Sequence, residues 1–488
     1  MSIVGREEEV RELSQFLSSN TSEFLAIYGR RRVGKTFLIR HFFQKQNALF
    51  FNVTGAKDVP LKEQISHFTK EIGNIFYKGA SLTPPKNWDA AFESLTEAFK
   101  MISKTKKIVL FFDEFPWLVT KNSRLLQTLE YYWNHYWSQD KRIKLIICGS
   151  SASWIIEKII NNKGGLYNRI TRTIYLEPFN LKSTKVFLNS LNIRLTNAQI
   201  LQIYMVLGGI PYYLSKIEKG LSAIENIERL AFRRNGFLLE EFDNLFFALF
   251  EDAEIYIQII RLIAKHRYGI GQEDLLTHLG KSYQGENGLK KLKALQDANF
   301  ILRFKSHFQK KKGFFYRLVD EYTLFYLDWI EPIRETLKTK SLIKGYWEQI
   351  SQTPRWRSWS GYAFESVCYK HIPQISKTLK IPPTSLPDTW RYVPSKNMQD
   401  EGAQIDLLFD RTDDSITLCE IKYTQSPFIL DKLETSLIQK KISIFKKKTQ
   451  TKKQIFLAFI TANGLKKTMY SEEIVDGVVV LDNLFEKA

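Results

Sequence analysis

Along the first 180 residues the hydrophobic positions gather in short β-branched or aromatic runs: FLAIYG (24–29), NALFFNV (47–53), KIVLFFDE (107–114), KLIICGS (144–150) and TIYLEPF (173–179). Longer stretches of helical periodicity separate them, and this alternation predicts a parallel sheet wrapped by helices. After residue 181 the strand signals stop. Leucine-rich helical periodicity takes over to about residue 250, broken by the turn Gly208-Gly209-Ile210-Pro211, and predicts a small helical lid.

Residues 251–335 read as three helices (EIYIQIIRLIAKH, QEDLLTHLG and GENGLKKLKALQDANF) followed by the hairpin ILRFKSHFQKKKGFFYRLVD, the order of a winged-helix unit. Beyond the passage Thr353-Pro354-Arg355-Trp356 a fourth region, 355–488, is predicted. It has a helix at 361–372, strands near 390–394, 403–409 and 415–423, a Lys-rich helix at 431–448, and strands at 454–461 and 477–482. The chain is therefore expected to be an α/β multidomain protein with regions 1–180, 181–250, 251–335 and 355–488.

Composition sharpens this picture in three respects. With 488 residues, 44% of them hydrophobic and 25% charged, the chain is too long for one core and unlike a disordered or fibrous sequence. Seventy-one Lys and Arg against 52 Asp and Glu give a formal net charge of +19, which favours a polyanionic partner, nucleic acid first, over a plain solvated surface only by a second observation. The three cysteines, Cys148, Cys368 and Cys419, lie far apart in apolar stretches and exclude a disulfide framework or Cys-rich zinc module. The N-terminus MSIVGREEEV has no apolar signal core and the hydrophobic runs are too short to span a bilayer, so a cytoplasmic protein without membrane partners is expected.

Gly29-Arg30-Arg31-Arg32-Val33-Gly34-Lys35-Thr36 directly follows a predicted strand and opens a helix, matching G-x-x-x-x-G-K-[ST] in its required context. Gly29 and Gly34 let backbone N–H groups turn inward on an anion, Lys35 reaches the β- and γ-phosphates, and the Thr36 hydroxyl ligates magnesium. Strand 107–114 ends in Asp113-Glu114, where Asp113 suits the magnesium shell and Glu114 the polarisation of an attacking water. Together these predict ATP and Mg2+ as ligands and ATP hydrolysis as a reaction. Ser150 is read either as a γ-phosphate sensor or as a cap for the following helix. Arg169 and Arg172 are candidates for an arginine finger reaching a neighbouring subunit of a homo-oligomer, against ordinary solvated arginines.

At this point the chain resembles the archaeal-type ATPases of the STAND and AAA-related class that carry a C-terminal nuclease-like domain. The resemblance rests on Val4-Gly5-Arg6-Glu7-Glu8, the loop 29–36, FFDEFPWL (111–118), CGSS (148–151), LYNRITRTIYLEPF (166–179) and LGGIPYYL (207–214), and covers essentially the whole chain. It implies a P-loop NTPase core, a box at 4–8 near the adenine, and Pro211 in a lid over the nucleotide.

A second chemical site is carried by Gln404-Ile405-Asp406 and, after a turn, Cys419-Glu420-Ile421-Lys422. Glu420 and Lys422 are two apart on a strand and share a face, and a hairpin brings Asp406 beside them. Two carboxylates with an ammonium suit a magnesium site acting on a phosphodiester, and Glu365 on the preceding helix would complete the metal shell. The competing reading is a β-hairpin with a solvated charged face. The arrangement resembles the PD-(D/E)xK superfamily, of restriction-endonuclease-like fold, which implies Asp406, Glu420 and Lys422 as catalytic residues and Glu365 as an auxiliary ligand. Gln404 stands where relatives often carry an acid, and Glu401 is its candidate substitute.

Lysine runs at 310–312, 446–448, 452–453 and 466–467, with Phe308, Phe314 and Phe445 interleaved, point to binding of nucleic acid, DNA first. On the third helix of the winged unit, Lys290, Lys291 and Lys293 are expected to meet nucleic acid, and Leu289, Leu292 and Leu295 to face the core. The leading expectation is an ATP-regulated, Mg-dependent nuclease acting on DNA in defence or genome maintenance. The alternative is an ATP-dependent switch whose nuclease-like domain is inactive and binds nucleic acid or a protein.

Overall fold

A computed structural model of the chain describes residues 3–161, 166, 168–304, 313–339, 344–394 and 401–487. It divides into two compact units, Met1–Pro178 and Phe179–Ala488. None of the described helices is long and apolar enough to cross a membrane.

The first unit is built on five strands: β1 (Glu23–Tyr28), β2 (Ala48–Thr54), β3 (Lys107–Asp113), β4 (Ile143–Gly149) and β5 (Arg172–Tyr175). They pair in the order β2-β3-β4-β1-β5, every pair parallel. The apolar runs found in the sequence are these strands. β3 and β4 are buried almost throughout, as parallel strands covered on both faces must be. One face packs on an aromatic-rich cluster that includes Phe24, Phe51, Phe68, Trp88, Phe92, Phe112 and Trp137. The chain leaves β1 for β2 at the far edge and returns through β3 and β4. The C-terminal ends of β1, β4 and β3 therefore lie side by side, where open α/β sheets place ligands.

The second unit begins with helices Leu181–Ser190, Asn197–Leu207, Pro211–Leu214, Ala223–Ala231 and Leu238–Leu249. Then come helices Ala253–Ala264, Gln272–Leu279 and Glu286–Asp297 with a three-stranded sheet β6 (Ile270–Gly271), β7 (Ile301–Phe304) and β8 (Phe315–Leu318), ordered β6-β8-β7 and antiparallel. The short β6 carries no sequence signal of its own. On Glu286–Asp297 the buried stripe is Gly288, Lys291, Leu292 and Leu295. Leu289, expected in the core, lies off this stripe and is 41% exposed. Lys291, expected at a nucleic-acid surface, is buried and pairs with Asp252 at 3.5 Å.

The helix predicted at 361–372 begins earlier, at Pro354, and runs to Lys370. Thr353 caps it by accepting a hydrogen bond from Trp356 N, so Pro354 occupies the first helical position, which needs no amide donor. The added turns bring Trp356 and Trp359 into a buried cluster with Trp329, Trp347 and Phe325. The last sheet contains β9 (Leu386–Tyr392), β10 (Ala403–Asp410), β11 (Ser415–Lys422), β13 (Gln454–Thr461) and β15 (Gly477–Val480), with β12 (Phe428–Ile429) and β14 (Leu465–Lys466) pairing separately. Its order is β15-β13-β11-β10-β9. β9, β10 and β11 are antiparallel neighbours, and β11, β13 and β15 parallel ones. Helix Lys432–Thr449 covers it, burying Phe445 against Trp390 at 5.1 Å. Phe445, expected to lie against nucleic acid, is thus a core residue.

Candidate functional site

The phosphate loop joins β1 to helix Lys35–Phe43. Gly29 has φ +141°, and a Cβ there would stand 2.4 Å from the carbonyl oxygen of Leu176. Gly34 has φ +95° with open space around it, so backbone conformation alone requires glycine there. Lys35 is 5% exposed and its ammonium donates to the carbonyls of Gly29 (2.8 Å) and Arg30 (3.0 Å), which fixes the charge inside the loop's turn. The box at 4–8 reaches the same loop through Arg6, which donates to Val33 O (3.2 Å) and Glu177 O (2.8 Å). Burial holds the Arg6 guanidinium below its ordinary pKa, offset by Glu9.

Thr36 Oγ1 donates to Asp113 Oδ1 at 3.1 Å, and Glu114 N donates to the same oxygen at 3.1 Å. Burial pushes the Asp113 carboxyl up from the usual range, with Glu114 adding to the effect and Thr36 opposing it. A hydroxyl facing a buried carboxylate is a hard, all-oxygen pair that fits Mg2+. Glu114 has φ +45° and ψ +46°, left-handed geometry that costs a non-glycine residue on the order of 1–3 kcal/mol and recurs at functional sites. Its carboxylate accepts two hydrogen bonds on one oxygen, from Ser150 Oγ (2.8 Å) and Ser150 N (3.1 Å). The Ser150 hydroxyl, expected to sense phosphate or cap a helix, is engaged with Glu114.

The two arginines differ. Arg169 is exposed. Arg172 opens β5 opposite Leu25, while Tyr175 pairs with Tyr28 beside the phosphate loop, so Arg172 lies toward the N-terminal ends of the strands, away from the loop, and binds Glu23 at 3.3 Å. The structure does not bring it to the loop within this chain. Pro211 opens a short helix in the second unit, where Phe179 N donates to Gly209 O at 2.7 Å.

In the second unit, β10 and β11 pair Leu407 with Cys419, which sets Asp406 opposite Glu420. The β9–β10 register shifts between Ile405 and Leu408, a bulge of the kind that re-aims a side chain. Asp406 Oδ2 accepts from Ile421 N (3.0 Å) and Oδ1 from Gln404 Nε2 (3.3 Å), so Gln404 acts as a donor to the carboxylate. Tyr369 donates its hydroxyl to Asp406 O. Glu401 is exposed and pairs with Lys440.

Glu420, 2% exposed, accepts from Lys441 on both oxygens (3.0 and 2.9 Å), with Lys422 at 3.6 Å. Glu365 on helix Pro354–Lys370 faces Arg317 of β8 at 3.7 Å. Burial pushes the Asp406 carboxyl up to about 6, with Glu420 adding to it, and the Glu365 carboxyl up to about 7, with Asp406 adding to it. Lys441 is raised by Glu420 against its own desolvation. Glu365 Oε2 is buried without a hydrogen-bond partner, and the donor set is all oxygen, as Mg2+ prefers. Yet among the described residues no group of three or more His, Cys, Asp or Glu side chains is arranged to hold a metal ion.

Two members of the cluster, Lys441 and Arg317, are not among the residues expected from the sequence. Lys441 has a signal there, since it shares the inward stripe of its helix with Ile438 and Phe445. Arg317 has a weaker one, a lone charge inside the apolar run FFYRLV. Several of the basic residues are engaged in ion pairs. Lys290 pairs with Glu286 (2.8 Å), Lys293 with Asp297 (3.0 Å) and Lys453 with Asp410 (2.7 Å). Arg303 stacks 3.3 Å from the Phe314 ring. Lys446, Lys447, Lys452, Lys466 and Lys467 are exposed, and Lys448 lies over Tyr392 at 4.2 Å. Phe308 and the run at 310–312 lie outside the described residues.

Residues 3–217 match the model of an ATPase domain family found predominantly in Archaea. An uncharacterized protein of Methanocaldococcus jannaschii is 28% identical over 432 residues, 86% of this chain and 87% of that protein. An uncharacterized ATP-binding protein of the same organism is 24% identical over 305 residues, 54% of this chain and 83% of that one. Among solved structures, a Walker-type ATPase of Pyrococcus abyssi shares 21% identity, covers 67% of this chain and 96% of its own, and gives a TM-score of 0.47. With its phosphate loop after β1 and Asp113-Glu114 at the end of β3, on either side of β4, the N-terminal part of this chain is an ATP-binding, archaeal-type ATPase domain.

Proposed function

We propose that the first unit binds and hydrolyses ATP with Mg2+ and thereby regulates a Mg-dependent nuclease in the second unit that acts on DNA. In the first unit Lys35 neutralises the β- and γ-phosphates, Thr36 and Asp113 hold the ion, and Glu114 takes a proton from water attacking the γ-phosphorus as ADP leaves. Ser150 keeps the Glu114 carboxylate pointed. Arg169, exposed, is the arginine available to a neighbouring subunit of a homo-oligomer.

The observation that carries the nuclease reading is Asp406 standing opposite Glu420 on adjacent strands, with Lys422 on the same face and Glu365 behind them. A bound Mg2+ would supply charge neutralisation and a Lewis acid at the phosphodiester. Asp406 and Glu420 would hold it, and Lys422 would orient the nucleophile or stabilise charge on the phosphate. The exposed lysines of helix Lys432–Thr449 supply sequence-independent attraction to the backbone. The test is digestion of a panel of single- and double-stranded DNA and RNA by the full chain, with Mg2+ or Mn2+, with and without ATP. Cleavage lost in Asp406→Ala supports the reading, and no cleavage in any condition overturns it.

Lys441 favours a second reading. Its ammonium already satisfies both Glu420 oxygens, as in a centre that has exchanged its metal for an internal cation. The second unit would then be an inactive nuclease-like domain that binds nucleic acid or a protein under ATP control.

A further inference from the structure

Apart from the carboxylate cluster, the second unit holds a cavity of about 390 Å3. Its floor is apolar and buried: Ile227 of helix Ala223–Ala231, Trp347 of helix Tyr346–Ile350 and Trp356 of helix Pro354–Lys370, the two indoles meeting edge to face at 5.0 Å. Its rim is polar and exposed, with Glu348, Gln352, Arg357 and Gln425. Gln202 and Tyr423 close the remaining side.

The rim is uncommitted. Arg355, two residues before Arg357, donates to Asp328 O and lies 4.5 Å from the Trp329 ring. Among the described residues, by contrast, no hydrogen bond or ion pair engages the side chains of Glu348, Gln352, Arg357 or Gln425. The cavity also adjoins the carboxylate cluster. Tyr423 directly follows Lys422, and its ring stands 5.7 Å from that of Phe364, the chain neighbour of Glu365. Successive side chains of an extended strand point to opposite faces, so the cavity flanks the centre and does not overlie it.

The lining fits a flat ring with polar edges. Each glutamine offers an N–H donor and a carbonyl acceptor side by side, the pattern that pairs with the edge of a nucleobase. Burial pushes the Tyr423 hydroxyl up from its ordinary range, with Gln202 opposing, so it stays protonated and able to donate. Arg357 at the rim suits a phosphate. A volume at the lower end of small-ligand sites admits one base with its sugar and excludes a base-paired duplex.

We propose that this cavity receives one unpaired nucleobase of the nucleic acid whose backbone passes the carboxylate cluster. This rests on the nuclease reading and names the form of its substrate, a single strand or a duplex with one base turned out of the stack.

The test uses the full chain in EDTA without nucleotide and at one salt concentration, so that neither a metal nor ATP enters. The parent is compared with the double variant Gln352→Ala, Gln425→Ala, whose changes are confined to exposed side chains. The probes are a short DNA single strand, an abasic strand of the same length, and free nucleosides. Expected is about tenfold or more weaker binding of the single strand in the variant, with the abasic strand bound equally by both proteins. Equal affinity for the single strand in the two proteins overturns the proposal, as does a parent that binds the abasic strand as tightly as the natural one. Nucleosides bound by the parent and lost in the variant, with strand binding unchanged, would make the cavity a small-effector site and overturn it too. Cleavage with Mg2+ or Mn2+ separates this from the nuclease reading. A parent that cuts DNA, with strand affinity unchanged in the variant, keeps the nuclease and discards the base site. Strand affinity lost in the variant while neither protein cuts keeps the base site and discards the nuclease.

Discussion

The phosphate loop and the carboxylate cluster both place acidic and basic side chains at sheet positions, yet they are assembled in opposite ways. In the first, one eight-residue loop supplies the glycines, the lysine and the hydroxyl, and only Asp113, Glu114 and Ser150 come from elsewhere, all at strand ends adjacent in one parallel sheet. In the second, the charged groups come from β8, helix Pro354–Lys370, β10, β11 and helix Lys432–Thr449, spanning Arg317 to Lys441. The loop holds its lysine on backbone carbonyls, whereas in the cluster Glu420 is held by Lys441, Glu365 faces Arg317, and only Asp406 takes a backbone N–H, that of Ile421. A site made from backbone and a short motif tolerates change around it; one made from side chains on five elements depends on each of them.

The sharpest way to test this contrast is at its two centres. Lys35→Ala should weaken ATP binding by at least about a hundredfold, while Glu114→Gln should keep binding and lower turnover by a similar factor, measured by nucleotide titration and phosphate release. Unchanged ATP affinity in Lys35→Ala would show that the loop does not hold the nucleotide. In the second unit, Asp406→Ala should lower cleavage by about two orders of magnitude or more and leave ATP turnover within about twofold, since no atom of the first site is touched.

The carboxylates also predict a pH dependence of stability that the first site lacks in such strength. Asp406 and Glu365 are raised in the folded chain, to about 6 and about 7, so the unfolded chain loses their protons first. Stability is fully present below about pH 4 and is lost as pH rises from there through about 6 to 7, on the order of several kcal/mol in total. Thermal melts in EDTA should show this fall, Asp406→Asn should flatten it, and Mn2+ should offset it if the ion binds there. A melt independent of pH from about 4 to 8 would contradict the burial and mutual repulsion that raise these carboxyls.

The smallest expected effect concerns the lysines. Neutralising Lys446 should lower the slope of log affinity for DNA against log salt by about 0.9 if it neutralises one phosphate in the parent. Lys290→Gln and Lys293→Gln should leave it unchanged, because Glu286 and Asp297 already engage those ammonium groups. The reverse result would move the interface from helix Lys432–Thr449 to the three-helix unit.

The strands of the first unit, the phosphate loop and the Asp113-Glu114 end were legible in the sequence because each is a local pattern: apolar runs of strand length, glycines at fixed offsets, an acidic pair ending a hydrophobic run. The longer helices and strands of the second unit were legible for the same reason, as was the shared face of Glu420 and Lys422, whereas β6, β12, β14 and the short helices were not. The start of helix Pro354–Lys370 was not, because a proline reads alike as a break and as a first helical residue until the cap at Thr353 is seen. Nor were the partners. That Ser150 holds Glu114, that Gln404 donates to Asp406, that Lys441 takes both oxygens of Glu420 and that Arg317 reaches Glu365 follow from which strands pair and which helix faces turn inward. Sequence pattern sets the conformation of each segment through local sterics and periodicity. The pairing of charges from distant segments depends on packing that excludes water around them, and only the tertiary structure decides that.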